Sequence, residues 1–403
     1  MKDIYIMRCT RNVDDDIIYV GSDNRRVDLF EAVYPAPSGM SYNSYLILDD
    51  KTALMDTVDR SVTDVFLGNV ESTLSGRRLD YLVVQHMEPD HSATIFDILL
   101  RYPECVVVCN RKTYDMIKAF KKREVNARIV SDGETLSLGR HTLRFIFAPM
   151  VHWPEVMVSY DEASGTLFSA DAFGTFGALN GALFADEVDF DKDYIDEARR
   201  YYSNIVGKYG AQVKALLSKT LPLGIKKICP LHGFVWRENI EYYVNKYLLW
   251  SDYKPEKHGV MIAYASVYGN TENVANVLAC RLYERGMECA LHDLSVSDAS
   301  YVISDAFKYG HLVFASASYN GGAFIKMEEL LYDIASHGLR DRRVALIENG
   351  SWAASAAKSM RNILSALKGI DYVFPDITIK SSADNSYEEI IHRLADAIAS
   401  EFN

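Results

Sequence analysis

Paired cysteines are missing from this chain. Its six cysteines (Cys9, Cys105, Cys109, Cys229, Cys280 and Cys289) include no C-x-x-C pair, and most lie in apolar strand-like or helix-like runs. That pattern argues against a zinc knuckle or a disulfide framework and for buried thiols in a reducing compartment. Positive charge is also scarce: 43 Lys and Arg stand against 55 Asp and Glu, a net −12. A nucleic-acid surface needs a basic face, and an acidic chain matches an anionic membrane poorly, so neither partner is expected. No apolar run approaches the roughly 18 residues of a spanning helix. The N-terminus, M-K-D-I-Y-I-M-R-C-T-R-N-V-D-D-D, carries both signs of charge where a signal peptide is continuously apolar, so a cytoplasmic location is expected. What the chain does have is core material. It is 49% hydrophobic and 12% aromatic with 26 tyrosines, which excludes disorder, and 403 residues imply two or three domains.

Two grammars follow one another. Residues 1–250 mix strand-like runs with helices: D-I-I-Y-V-G, V-D-L-F-E-A-V, N-S-Y-L-I-L-D and T-A-L-M-D-T read as an antiparallel meander, followed by a helix near 61–74. Further strands and covering helices predict a layered α+β sandwich. Residues 251–258, S-D-Y-K-P-E-K-H, have the composition of a linker. Over 259–403, five strand-like runs alternate with helical segments, which predicts a doubly wound α/β parallel sheet.

The densest chemistry is Q-H-M-E-P-D-H-S, immediately after the strand Y-L-V-V-Q. His86, Glu88, Asp90 and His91 place four potential ligands within six positions. A solvated turn would account for one His and one Glu, but poorly for this run. His152, Asp171 and His232 each follow a later strand-like run. Singly, each reads as a satisfied polar residue at a strand exit. Together the seven supply imidazoles and carboxylates enough for two metals sharing a bridging carboxylate.

The order H-x-E-x-D-H, His, Asp, His resembles the metallo-β-lactamase fold, an αββα sandwich. Hydrolases of that fold usually carry a third histidine where this chain has Glu88. A mixed imidazole and carboxylate set suits iron and its redox changes, whereas imidazole-rich sites suit zinc. The Glu variant resembles the di-iron domain of flavodiiron proteins (A-type flavoproteins). That resemblance implies His86, Glu88 and His152 on one iron, Asp90, His91 and His232 on the other, and Asp171 bridging. Some family members leave the imidazole at His91 off the metal. H-W-P-E around His152 and A-F-G-T-F-G after Asp171 also resemble the family. Phe173 and Phe176 are candidates for an apolar gas pocket or for ordinary core.

In the second half the first βα turn reads A-S-V-Y-G-N-T-E-N. It lacks both the G-x-G-x-x-G dinucleotide fingerprint and the G-K-[ST] ending of a P-loop. Ser266, Val267, Tyr268, Gly269, Asn270 and Thr271 form a loop of hydroxyls, amides and a glycine at a helix start, able to hold a monophosphate through N–H groups and the helix dipole. S-A-S-Y-N-G-G contributes Ser318, Tyr319, Asn320 and Gly321, and E-N-G-S-W-A-A-S contributes Asn349, Gly350, Ser351, Trp352, Ala353 and Ala354. Both runs are expected at the carboxyl ends of strands, where such sheets bind ligands. S-x-Y-G-N-T resembles the flavodoxin phosphate loop, which implies FMN.

A β-lactamase-like domain followed by a flavodoxin-like one implies a flavodiiron oxidoreductase. Such an enzyme reduces dioxygen to water or nitric oxide to nitrous oxide, with no catalytic residues separate from the metal site. The resemblance also implies a head-to-tail homodimer, or a dimer of dimers. Having no rubredoxin-like cysteine pairs and no nicotinamide fingerprint, the chain is expected to take electrons from an external donor, a rubredoxin-type protein or a reduced deazaflavin coenzyme. Two other classes are a dinuclear zinc hydrolase, which Glu88 and the intact flavin loop disfavour, and a non-enzymatic flavin and iron gas sensor.

Overall fold

The computed structural model describes residues 8–400; residues 1–7, where the N-terminal reading above begins, and residues 401–403 lie outside the described residues. The chain divides into two compact units, one of Met1–Tyr202 with Ala211–Leu248 and one of Ser203–Gly210 with Leu249–Asn403. The expected linker is shorter than 251–258, because Ser251 ends a helix and Lys257 begins a strand. The excursion of 203–210 into the second unit has no signature in the sequence.

The first unit is built on two sheets. In the larger, Arg11–Asn12 lies beside β1 (Ile17–Tyr19), β2 (Tyr45–Leu48), β3 (Thr52–Met55), β4 (Tyr81–Val83), β5 (Val106–Cys109) and β6 (Ala127–Ile129), in that spatial order. Pairing is antiparallel as far as β3 and parallel from β3 to β6. The second sheet runs β7 (Thr135–Ser137), β8 (Thr142–Phe147), β9 (Met157–Asp161), β10 (Thr166–Phe168) and β11 (Lys227–Cys229), parallel only at β10–β11. β3 and β9 are buried at every position because both of their faces are covered. Tyr45 of β2 ties the sheets together: its ring lies 5.6 Å from that of Phe168, and its hydroxyl donates to Pro230 O at 2.7 Å.

Helices cover the larger sheet through apolar stripes. In α1 (Thr63–Leu74) the stripe is Phe66, Leu67, Val70 and Leu74, and the helix stops at Ser75, which takes the left-handed conformation. α2 (Ile95–Arg101) and α3 (Arg111–Lys121) follow, α3 capped by the Asn110 side chain accepting from Thr113 N–H at 3.0 Å.

One expected strand is corrected. V-D-L-F-E-A-V does not join the meander but folds into a two-stranded ribbon of Leu29–Phe30 against Tyr34–Pro35. Glu31 and Ala32 both take positive φ (51° and 58°), so the chain reverses within the run instead of extending. Completing the first unit are α4 (Ile195–Tyr201), most of α5 (Gly210–Thr220) and most of α6 (Ile240–Ser251).

In the second unit, β12 (Lys257–Ala265) leads into α7 (Asn270–Tyr283) and β13 (Glu288–Asp293) into α8 (Ala299–Lys308). β14 (Tyr309–Tyr319) turns back on β15 (Gly322–Ala323) before α9 (Ile325–Ser336). β16 (Arg342–Asn349) leads to α10 (Ala356–Leu364), then come β17 (Ile370–Tyr372), β18 (Ile377–Ile379) and α11 (Glu388–Ser400). The order β13-β12-β14-β16, with β17 and β18 both on β16, is parallel apart from β15. Its core includes Val260, Ile262, Val313, Ile347, Leu278 and Leu394. The strand order reverses direction at β12, so ligand space opens beyond the carboxyl ends of β12 and β14. Among the described residues, no helix is long and apolar enough to cross a membrane.

Candidate metal centre and flavin cavity

Strand ends position every candidate ligand of the first unit. At the end of β3, Asp56 accepts from Gln85 N–H (2.7 Å), Gln85 Nε2 (2.8 Å) and His86 N–H (3.3 Å), which shapes the loop beyond β4. Burial pushes Asp56 up to about 6 despite these donors. Two ligand groups result, His86, Glu88, His152 and Asp171 in one and Asp90, His91 and His232 in the other. Glu88 Oε2 lies 3.1 Å from His86 Nε2 and 3.0 Å from His152 Nε2. Asp171 faces both groups: Oδ2 is 3.1 Å from His86 Nε2 and from His152 Nε2, while Oδ1 is 3.2 Å from His91 Nε2. Asp90 Oδ2 lies 3.3 Å from His91 Nε2 and 3.1 Å from His232 Nε2.

These contacts are close without being hydrogen-bonded throughout. Both oxygens of Asp90 and Oδ1 of Asp171 are buried and have no hydrogen-bond partner. Converging lone pairs of this kind are the environment a cation satisfies, so the donor set fits two metal ions. The ionisation pattern agrees. Burial alone would lower His152, but Asp171 and Glu88 outweigh it and raise it to about 9. His86 and His91 are raised in the same way. Burial opposes ionisation of Glu88 and Asp171, yet the surrounding imidazoles hold both below the usual carboxylate range.

Residues outside the expected set orient these ligands. Glu155, buried in the H-W-P-E run, accepts from His86 Nδ1 (2.8 Å) and from Met87 N–H (2.9 Å). Ser41 O accepts from His232 Nδ1 at 2.6 Å. Each partner fixes the tautomer that leaves Nε2 free to ligate. His91 differs, its Nδ1 being buried with no partner.

Aromatic rings wall the second group. Phe30 meets His232 edge-on at 5.3 Å, and Tyr42 and Tyr201 approach the same imidazole at 5.7 Å each. Phe176 belongs to this wall, 5.7 Å from Phe30 and 5.2 Å from Tyr201. Phe173 packs instead on Tyr247 at 4.4 Å and serves the core. Gly174 permits the close approach of Tyr201, since a Cβ there would lie 2.6 Å from Tyr201 Cε1. Burial, then the negative field of Asp171, keeps Tyr201 a neutral phenol, well above its ordinary range. At the tip of the ribbon, Glu31 faces Glu88. Burial of its carboxyl end and that neighbouring charge raise it to about 8, although the residue as a whole is exposed. Tyr201 and Glu31 carry no local motif that marks them.

The second unit holds a cavity of about 540 Å3 at the switch point, lined from three loops. Ser266, Val267, Tyr268, Asn270 and Thr271 line it from the first, Ser318, Tyr319, Asn320 and Gly321 from the second, and Asn349, Gly350, Ser351, Trp352 and Ala353 from the third. Ala317 and Ser355, from the same two runs, line it as well, and so does Ser381, which lies outside all three. Gly269 and Ala354 do not line it. Gly269, at φ 85°, turns the chain into α7, and Ala354 packs under Gly350. The second loop is a hairpin rather than an open loop: β14 extends through Tyr319, and Asn320 and Gly321, both with positive φ, make the turn.

The cavity suits a flavin mononucleotide. Among the described residues no Lys, Arg, His, Asp or Glu lines it, Ser266 Oγ accepts from Gly269 N–H at 3.1 Å, and the start of α7 has no side-chain cap competing for a phosphate. Trp352 and Tyr268 are 94% and 91% exposed, and their side chains offer flat apolar surface.

Comparisons with known proteins agree with this geometry. The family described as ODP family beta lactamase matches residues 40–233. Nitric oxide reductase of Moorella thermoacetica is 33% identical over 362 residues, 88% of this chain and 90% of that protein. Anaerobic nitric oxide reductase flavorubredoxin of Vibrio vulnificus is 30% identical over 354 residues, 86% of this chain and 71% of that protein. Rubredoxin oxygen:oxidoreductase from Desulfovibrio gigas superposes with a TM-score of 0.91 at 26% identity, covering 97% of this chain and 98% of that one. The flavodiiron protein from Giardia intestinalis gives 0.90 at 25% identity, covering 98% and 96%. A β-lactamase-type fold with a redox-suited donor set, continued by a flavodoxin-type fold, defines the two-centre oxidoreductases rather than the hydrolases. Within that class, this chain belongs to the flavodiiron protein family and is an oxidoreductase. The family is one of FMN and non-haem di-iron.

Proposed function

We propose that this enzyme reduces a diatomic gas, dioxygen to water or nitric oxide to nitrous oxide, at a di-iron site supplied with electrons through FMN. Glu88 is the observation that carries the reading: a carboxylate, where a hydrolase would place imidazole, lies within 3.1 Å of two histidines that share it with Asp171. When bound, the irons supply a redox centre that binds the gas, and FMN supplies electrons accepted in pairs and passed singly. His86, Glu88 and His152 hold one ion, Asp90, His91 and His232 the other, and Asp171 spans both. Phe30, Phe176, Tyr42 and Tyr201 keep the side of His232 dry and admit only a small ligand. In the second domain the first loop holds the phosphate, while Tyr319, Trp352 and the glycine-bearing turns hold the ring. An external rubredoxin-type protein or deazaflavin coenzyme reduces the flavin, and the chains pair head to tail as a homodimer.

Anaerobic stopped-flow of the reduced protein, with iron per chain measured on the same sample, tests the proposal. Rapid flavin reoxidation by one gas in a sample with two irons is the expected result. Zinc in place of iron, or no reoxidation by either gas, would reject it.

A further inference from the structure

The second and third cavity loops meet at the start of α10. Ser318, on the cavity wall, accepts from the backbone N–H of Ser355 at 2.9 Å and of Ala356 at 3.3 Å. The next N–H, that of Ala357, donates to Glu348 Oε2 at 2.9 Å, and Thr378 Oγ1 donates to Glu348 Oε1 at 2.8 Å. The helix's own N-cap residue, Ser355, provides no side-chain cap. Side chains from β14 and β16 therefore do the capping.

Glu348 is an unusual residue to find there. It ends β16, directly before the cavity residue Asn349, is only 9% exposed, and makes no ion pair among the described residues. Both oxygens act purely as acceptors, the pattern of an ionised carboxylate. Its negative charge opposes the positive end of the α10 dipole beside a cavity that, among the described residues, no cationic side chain lines.

We propose that Glu348 is a positioning residue for the flavin: it seats the third loop on α10 and keeps the cavity free of net positive charge, so the anionic, fully reduced ring is held less tightly than the neutral oxidised ring. This rests on the FMN reading above. A differential affinity of that sign lowers the flavin potential and makes the reduced cofactor a stronger electron donor.

Glu348→Gln and Glu348→Ala, each in the full-length, FMN-loaded protein, test the role. Gln keeps the size and an acceptor for Ala357 N–H but removes the charge. FMN binding by Glu348→Gln is expected to stay within a few-fold of wild type. Its affinity for reduced over oxidised FMN should rise about tenfold, a positive shift of about 30 mV for a two-electron couple in a dye-equilibrated titration. Glu348→Ala should show the same shift plus weaker FMN binding and faster proteolysis within 349–355. Unchanged potentials in both variants, with bound FMN showing the second unit intact, would overturn the role. Failure of the wild-type chain to bind FMN would instead reject the flavin reading, and this proposal with it.

Discussion

The Nε2 atoms of His91 and His232 face each other at 2.9 Å in a fully buried setting. The two imidazoles are supported differently. His232 donates through Nδ1 to Ser41 O, whereas Nδ1 of His91 has no partner. An outer partner fixes a ligand's tautomer and orientation, and such partners are worth roughly 10–100-fold in metal affinity. His91→Asn should therefore cost the second ion less affinity than His232→Asn, which should lose about tenfold or more. Chelator competition with iron analysis measures both, and equal losses would contradict the asymmetry.

Asp171 reaches both groups with separate oxygens, and Thr271, buried at the start of α7, lines the cavity of the second unit. Asp171→Ala should lose both irons and keep FMN. Thr271→Ala should do the reverse, weakening FMN roughly 10–100-fold, in line with a hydrogen bond to a charged phosphate worth about 1.5–3 kcal/mol. Metal analysis and flavin absorbance on each variant check the pair. Two irons retained in Asp171→Ala would reject the bridging assignment.

Glu155 holds the proton of His86 on Nδ1. Glu155→Gln keeps the shape and loses the charge that makes His86 a stronger ligand. Iron affinity should fall roughly 10–100-fold without loss of fold, read by chelator competition alongside circular dichroism. An unaltered affinity would show that orientation by the loop suffices.

His311, buried in β14, has its pKa lowered to about 4 by burial first and the Arg343 charge second. A histidine depressed below its ordinary value of about 6.5 is neutral in the folded state, while the unfolded chain takes up a proton as pH falls. Stability is thus retained above about pH 6.5, lost progressively between about pH 6.5 and 4, and levels off below; the loss from pH 7 to 5 is about 2 kcal/mol. Urea unfolding of wild type and His311→Gln at the two pH values should show this loss reduced in the variant. An equal loss in both would place the titrating group elsewhere.

Much of this was legible from the chain. Alternating strand and helix runs announced the second domain, and the convergence of the candidate ligands was legible because strand ends deliver side chains to one place and four potential ligands stood within six positions. The ribbon at Leu29–Pro35 was not legible. Its residues have strand propensity, and only the two left-handed residues at its tip turn them back to bring Phe30 onto His232 and Glu31 onto Glu88. Phe173 and Phe176, three positions apart in one run, point to different neighbours, which no periodicity in an irregular segment reveals.

The scarcities that mark this sequence, no paired cysteines and little positive charge, excluded whole classes of protein. Residue types and their order then indicated the two folds, the seven candidate ligands that converge, and most of the loops that line the second cavity. The contacts of Glu155, Tyr201, Ser381 and Glu348 were decided only by tertiary structure. Each acts across 30 or more residues of sequence or through a packed ring. A carboxylate or phenol in an ordinary run carries no local signal of what it will meet once the sheets have closed.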